Sequence, residues 1–223
     1  MTSLTCENNG AASWPLLDGL SVDERRALLG TARRRRFGRN DSIFFEGDPG
    51  DTLHLICKGH VAVQVTTALG DVATLAVLGP SDVFGELAVV SGSNRRSATV
   101  SCLDPVETLL IHSEQFHDLR RRHPSVGEAL LQLVTARIPR TSSQLLEAFY
   151  TRADKRVLRR VVDLSDLYGA VIPLTQDDVA ELAGATRPTV NRVLKDAESA
   201  RAVRLSRCRI EVVDHGLLCR LAS

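Results

Sequence analysis

From about Phe37 to Ile111 apolar residues alternate with polar ones in short runs: Leu53 and Leu55, then Val61, Val63 and Val65, then Leu75 and Val77. Gly, Asp-Pro or Gly-Pro interrupts the pattern about every eight to twelve residues. A period of two bounded by turns predicts strands, and several at this spacing predict a small all-β sandwich or barrel. Ahead of it "LSVDERRALL" opens with Ser21 and Glu24 in capping-box spacing and predicts a short helix. Residues 1–13 carry no period and are expected to lack regular structure.

Beyond the strands the period lengthens. "SEQFHDLRRRH" reads as a helix, and Pro124 can open another that runs to about Tyr150. In that second helix Val134, Ile138, Thr141, Leu145 and Ala148 recur at alternating steps of four and three, the seam of a coiled coil. Such a seam wants a partner, most simply a second copy of the chain; packing on the β region is the alternative. Pro139 inside the helix removes a backbone hydrogen bond and is expected to kink or break it.

Residues 152–223 change character again. "ADKRVLRRVVDLS" is helical, "LTQDDVAELAGATRPTVNRVLKDAES" is two helices joined at "AGAT", and "AVRLSRCRIEVVD" is two alternating runs about a basic turn. Helix, turn, helix and hairpin in that order make a winged helix. Thr175 with Asp178 can cap the first helix and Gly184 permits the tight turn. Val179, Leu182, Val190, Val193 and Leu194 can pack the pair together. Arg187, Thr189, Asn191, Arg192 and Lys195 then lie outside the apolar positions. Arginine can bond guanine bidentately in the major groove, while threonine and lysine reach phosphates. Thr175, Gln176, Thr186 and Ser206 complete the set expected to face double-stranded DNA. A merely solvated amphipathic helix is the competing reading.

Composition changes little. The chain has 223 residues, 43% hydrophobic and 25% charged, as in ordinary soluble domains. No run approaches a membrane span, and the N-terminal "MTSLTCENNGAASWP" lacks the order of a signal peptide, so a cytoplasmic protein is expected. The formal charge is +1, and all basic residues but Lys58, Lys155 and Lys195 are arginine, so a basic face requires clustering. Cys6, Cys57, Cys102, Cys208 and Cys219 are scattered without a Cys-x-x-Cys pair, which argues against disulfides, zinc or iron–sulfur. The six histidines, His54, His60, His112, His117, His123 and His215, show no metal-ligand spacing, so no metal is expected; His60 reads as a turn cap. "RRRR" at 33–36 reads as a solvated charged face before a strand, with a nucleic-acid patch as the alternative.

One stretch does not fit a plain barrel. "FGELAVVSGSNRRSATV", residues 84–100, carries Glu86 and, ten residues on, Arg96 and Ser97. An ionised group near a barrel interior is costly unless paired. A bound phosphate diester would answer the arginine and the serine hydroxyl, with turn amides near Gly85 and Ala98 completing an anion nest. Glu86, an acceptor only, then suits a ribose hydroxyl. The alternative is an internal Glu86–Arg96 salt bridge between strands.

"FGEL" followed by "RRSATV", and "LTQDDVAELAGATRPTVNRVL" with its wing, resemble the bacterial transcription factors of the cyclic-AMP receptor protein and fumarate–nitrate reduction regulator family, from about Leu17 to Leu218. The resemblance implies an α+β chain: a jelly-roll-like β-barrel for cyclic nucleotides (residues 1–124), a dimerisation helix and hinge (125–151) and a winged helix-turn-helix (152–223). It implies that Glu86 binds ribose, that Arg96 and Ser97 bind the cyclic phosphate, and that a Thr-Ser pair on the dimer helix meets adenine. By its spacing from the Glu that pair falls on Thr141 and Ser142 in "RIPRTSS". Val63, Leu75, Gly85, Leu87 and Ala98 complete the implied ligand set. The effector is then cyclic AMP, with cyclic GMP as a second candidate.

Two departures touch the output. Pro188 stands where the family has a base-reading Glu, and it cannot accept from cytosine N4. "DLYGAVIPLT" is shorter than the loop through which the cyclic-AMP receptor meets RNA polymerase, so polymerase contact through that loop is not implied. The expected whole is a non-enzymatic, homodimeric regulator. Its competitors are a regulator of the same fold with another effector or none, Glu86 and Arg96 paired; an enzyme acting on cyclic nucleotides; and a nucleotide-binding subunit of a kinase or channel.

Overall fold

The computed structural model describes residues 13–223 apart from Leu69 and Asp71. The expectation for the N-terminus falls, but for Ser13, outside the described residues. The chain forms two compact units, one built from residues up to Val65 and from Leu75 to Arg140, the other from Thr66–Thr74 and Thr141–Ser223.

The first unit is a double sheet with helices on one outer face. Helix α1 (Val22–Thr31) starts at Ser21, whose side chain and that of Glu24 form the expected capping box. The strands are β1 (Arg33–Phe37), β2 (Ser42–Phe44), β3 (Thr52–Lys58), β4 (Val61–Thr66), β5 (Val72–Leu78), β6 (Val83–Phe84), β7 (Thr99–Cys102) and β8 (Val106–His112). They form sheets in the orders β1-β8-β3-β6 and β2-β7-β4-β5. A short helix α2 (Glu86–Val90) follows β6, and α3 (Ser113–Arg122) leads into α4 (Pro124–Tyr150).

Strand β3 shows how its period of two serves two cores. Leu53 and Leu55 point to the helices, joining Trp14, Leu17, Phe116 and Val126. Ile56 points between the sheets with Val61, Phe84, Val100 and Val106. Each such side chain, removed from water, contributes about 1.5–3 kcal/mol. Thr52 and His54 share the inner parity of Ile56 and are both buried, which puts polar groups inside the barrel. The β3–β4 turn is fastened as expected of a His60 cap: its N–H and Nδ1 lie 2.8 Å from the two carboxylate oxygens of Asp104.

Two expectations change here. The arginine run is itself a strand rather than a segment before one: β1 pairs with β8, and Arg34 and Arg36 bind Glu107 across the ladder, while Arg33, Arg35 and Arg36 stay exposed, as a solvated charged face requires. Helix α4 continues through Pro139 without a break, because one missing donor leaves the rest of the i→i−4 ladder in place. Of the seam residues, Val134 is partly buried against the core, whereas Ile138 and Leu145 are 61% and 57% exposed. Leu131, seven residues before Ile138, is 64% exposed and extends that stripe.

In the second unit α5 (Ala153–Tyr168), α6 (Gln176–Ala183) and α7 (Arg187–Ser199) precede β10 (Val203–Ser206) and β11 (Arg209–Val212). Thr175 and Asp178 cap α6 reciprocally, and Gly184 takes the left-handed conformation (φ 55°) at its end. Val179, Leu182, Val190, Val193 and Leu194 are all buried. The sequence reading omitted two elements. A short strand β9 (Val171–Ile172) adds to the hairpin through β11, and α8 (His215–Ala222) packs on α5 with Leu218 buried.

Candidate ligand pocket and nucleic-acid interface

Gly85 turns the chain from β6 into α2 with φ 81°, and a Cβ there would sit 2.6 Å from Arg96 Nη1 and 3.0 Å from the Thr52 carbonyl oxygen. Only glycine lets the backbone approach the guanidinium so closely. The same turn places Glu86 in the interior at 1% exposure.

Arg96, 5% exposed, enters from the connection between α2 and β7. Its Nη1 donates to the carbonyls of Thr52 (2.6 Å) and Gly85 (3.1 Å), and its Nη2 donates to Thr52 Oγ1 at 2.7 Å. A guanidinium has five N–H groups, so Nε–H and one Nη2 hydrogen remain. Arg96 Nε is buried with no hydrogen-bond partner among the described residues. The Phe44 ring lies 4.1 Å from the guanidinium carbon, a cation–π contact that fixes its plane. Burial pulls the Arg96 pKa down, while Asp51, Asp48 and Glu86 push it back.

Glu86 accepts at Oε1 from Nη1 of Arg137 on α4, whose Nη2 also donates to the Val83 carbonyl at 2.7 Å. Glu86 Oε2 is buried without a hydrogen-bond partner among the described residues. Burial raises the carboxyl pKa, opposed by the Arg137 charge, the residue's own backbone N–H and Arg96. The alternative of a Glu86–Arg96 salt bridge is not formed: Glu86 pairs with Arg137, because Thr52 and Gly85 have already taken the end of the Arg96 fork.

These groups line one cavity of about 50 Å³, walled also by Val63, Gly85, Leu87, exposed Ser97 and buried Ala98. Leu75, 40% exposed, is not in its lining, and Thr141 and Ser142 are exposed residues of α4. A second, open cavity, about 320 Å³ and apolar, shares Glu86 and Leu87 with the first and is lined by Val90, Leu130, Leu131 and Val134. Sequence reasoning missed Arg137, Thr52, Phe44 and His54. His54 stacks on Phe84 at 4.8 Å, and its Nδ1 lies 3.1 Å from Thr108 Oγ1. Burial, then Arg96 and Arg35, lowers its pKa to about 3, so the ring is neutral.

Among the described residues no group of three or more His, Cys, Asp or Glu could hold a metal, and no helix is long and apolar enough to cross a membrane. Cys57, Cys102, Cys208 and Cys219 are not in disulfides, and the Cys102 thiol is pushed up to about 12 by burial, Asp41 and Asp104; Cys6 lies outside the described residues.

The winged helix presents Thr186, Arg187, Arg192, Lys195 and Ser206 as exposed side chains, with Thr175, Gln176 and Thr189 half-buried. Pro188 fits the first turn of α7. The arginines are not loose: Arg187 Nε lies 3.2 Å from Asp177, and Arg192 Nη2 donates to Asp154 Oδ1 at 2.6 Å.

Residues 34–123 match the cyclic nucleotide-binding domain and residues 155–221 the Crp-like helix-turn-helix domain. The cyclic AMP receptor protein of Thermus thermophilus is 32% identical over 209 residues, covering 93% of this chain and 96% of that one. The chain belongs to the cyclic-AMP receptor protein and fumarate–nitrate reduction regulator family. This family member is a DNA-binding transcription regulator with a cyclic nucleotide-binding domain. It is also 29% identical over 215 residues to the CRP-like cAMP-activated global transcriptional regulator of Mycobacterium tuberculosis, with 93% and 96% coverage. Its fold matches that of the c-di-GMP responsive global regulator CLP of Xanthomonas campestris: TM-score 0.74 at 19% identity, over 86% of this chain and 99% of that one.

Proposed function

We propose that this regulator binds a cyclic nucleotide between Glu86 and Arg96, cyclic AMP before cyclic GMP, and does not turn it over. The observation that carries the reading is a pair of buried polar atoms of opposite charge in one cavity, Glu86 Oε2 and Arg96 Nε, neither with a hydrogen-bond partner among the described residues. Each such group costs free energy until something answers it. A cyclic phosphate offers two oxygens to the side edge of Arg96, where Nε–H and the last Nη2–H lie parallel, and Ser97 adds a hydroxyl. A ribose hydroxyl offers its proton to Glu86.

The cavity, about 50 Å³, is below the range of small-molecule pockets, so ligand entry requires a wall to move. Arg137, a third exposed and holding Glu86 from α4, is the piece of wall best able to yield. Displacing Leu87 as well would join the two cavities. Thr141 and Ser142, further along α4, are proposed to meet the base. The exposed Leu131, Ile138 and Leu145, seven apart, suit a parallel α4–α4 seam in a cytoplasmic homodimer. Ligand would then shift the population toward the dimer whose two α7 helices lie one DNA turn apart, about 34 Å.

Calorimetry with cyclic AMP and cyclic GMP tests this on the wild type, Arg96→Ala and Thr141→Ala. Arg96→Ala should weaken binding by about 3 kcal/mol, since a desolvated phosphate loses its charge-assisted donors. Thr141→Ala should lose less, and more for adenine than for guanine. Affinity unchanged by Arg96→Ala would remove the phosphate assignment; equal losses for both nucleotides in Thr141→Ala would remove the adenine one.

A further inference from the structure

We propose that Asp154, which lies outside the helix-turn-helix, is a positioning residue that sets DNA sequence preference by holding Arg192 ready to read a base. The inference rests on Arg192 facing a base edge, as its place on α7 suggests. Asp154 sits in the first turn of α5, where the positive end of the helix dipole favours its charge. Its Oδ1 accepts, at 2.6 Å, the one hydrogen bond that the Arg192 side chain makes among the described residues. The second acid near Arg192, Asp196, stands at 3.7 Å, beyond hydrogen-bond distance.

Asp154 is mounted on a fixed support. Two residues along, Arg156 donates from Nε and Nη2 to the carbonyls of Ala183 and Gly184, which form the turn between α6 and α7, and from Nη1 to that of Thr151. The start of α5 is thereby tied to the turn that aims α7. Arg192, 57% exposed, would otherwise lose much rotamer freedom on binding a base. With one Nη2 hydrogen held by Asp154, the other Nη2 hydrogen and the N–H parallel to it, on Nε or Nη1, are left as a two-donor edge, which matches O6 and N7 of guanine. An acid this close to a DNA-facing arginine weakens general attraction to phosphates. Its gain is in discrimination.

The test is site selection and affinity measurement for Asp154→Asn, Asp154→Glu and Arg192→Ala in the full-length chain, with a thermal melt for each. Asp154→Asn should lower the preference at one position of each half-site about tenfold, the scale of one bidentate contact. Its affinity for random-sequence DNA should hold or rise. Asp154→Glu should recover part of the preference, and Asp154→Asn added to Arg192→Ala should change that position no further. Specific and random binding falling together would mean a structural role and overturn the proposal. Tighter binding to an unchanged selected sequence would make Asp154 a charge brake, also overturning it. Arg192→Ala with intact preferences at every position would instead sink the base-reading assignment beneath it.

Discussion

The buried Glu86 carboxylate is bridged by Arg137, fifty-one residues along the chain on α4, while Arg96, its nearer neighbour in sequence, is held by Thr52 and Gly85. The sensor's acidic group is thus tied to the helix that carries the proposed dimer seam. Any ligand that engages Glu86 meets a group already coupled to α4.

That coupling has a measurable stability signature. The Glu86 pKa is raised in the folded state, chiefly by burial. Its contribution is therefore fully present below the ordinary carboxylate value and lost as pH climbs through the raised one. Arg137→Ala removes the opposing cation and raises that pKa further, so the variant's deficit should grow from pH 4 to pH 8. At the alkaline end it should reach about 3 kcal/mol, the low end for breaking a buried pair, because Arg137 is one third exposed. Urea unfolding at the two pH values measures it. A deficit that is the same at both would mean that Glu86 does not titrate as described.

His54 makes the opposite prediction at the acid side. Its pKa is lowered to about 3, first by burial and then by Arg96 and Arg35. Stability from the neutral ring is full above the ordinary histidine value of about 6.5 and falls away as pH drops toward the folded value. The slope is up to about 1.4 kcal/mol per pH unit. His54→Phe keeps a ring on Phe84 but takes no proton, so its unfolding free energy should change less between pH 7 and pH 5 than that of the wild type. Parallel slopes would sink the assignment.

Local rules made the architecture legible. Capping pairs Ser21–Glu24 and Thr175–Asp178, Pro124 at the head of α4 and Gly184 between α6 and α7 each act within a few residues, and each stands where spacing put it. Strand β9 has two residues, too few for any period, and owes its state to pairing with β11. The arginines of β1 form a strand because β8 supplies the ladder and Glu107 the countercharge, neither visible from "RRRR". In the pocket, motif spacing brought Glu86, Arg96 and Ser97 to one cavity. It could not supply Arg137 or Thr52, whose contacts span fifty-one and forty-four residues. The seam reading assigned Val134 and Ile138 alike, but the fold turns the first to the core and leaves the second in solvent.

The remaining prediction separates Arg187 from Lys195 by role. Arg187 opens α7, 69% exposed, with Asp177 at 3.2 Å as its only ion-pair partner among the described residues, both near the surface where such a pair contributes little. It is free to turn to base edges, and a bidentate contact to guanine discriminates by about 1–3 kcal/mol. Arg187→Ala should therefore flatten the preference at one half-site position. Lys195 is exposed two turns further along α7, where a point charge on a flexible stem suits a phosphate. Lys195→Ala should weaken all sequences alike and reduce the slope of log affinity against log salt by about one per monomer. Selected sites and salt titrations of the two variants distinguish them. Should both behave as phosphate contacts, Pro188 in the first turn has aimed α7 away from the bases, and the reading of Arg187 fails.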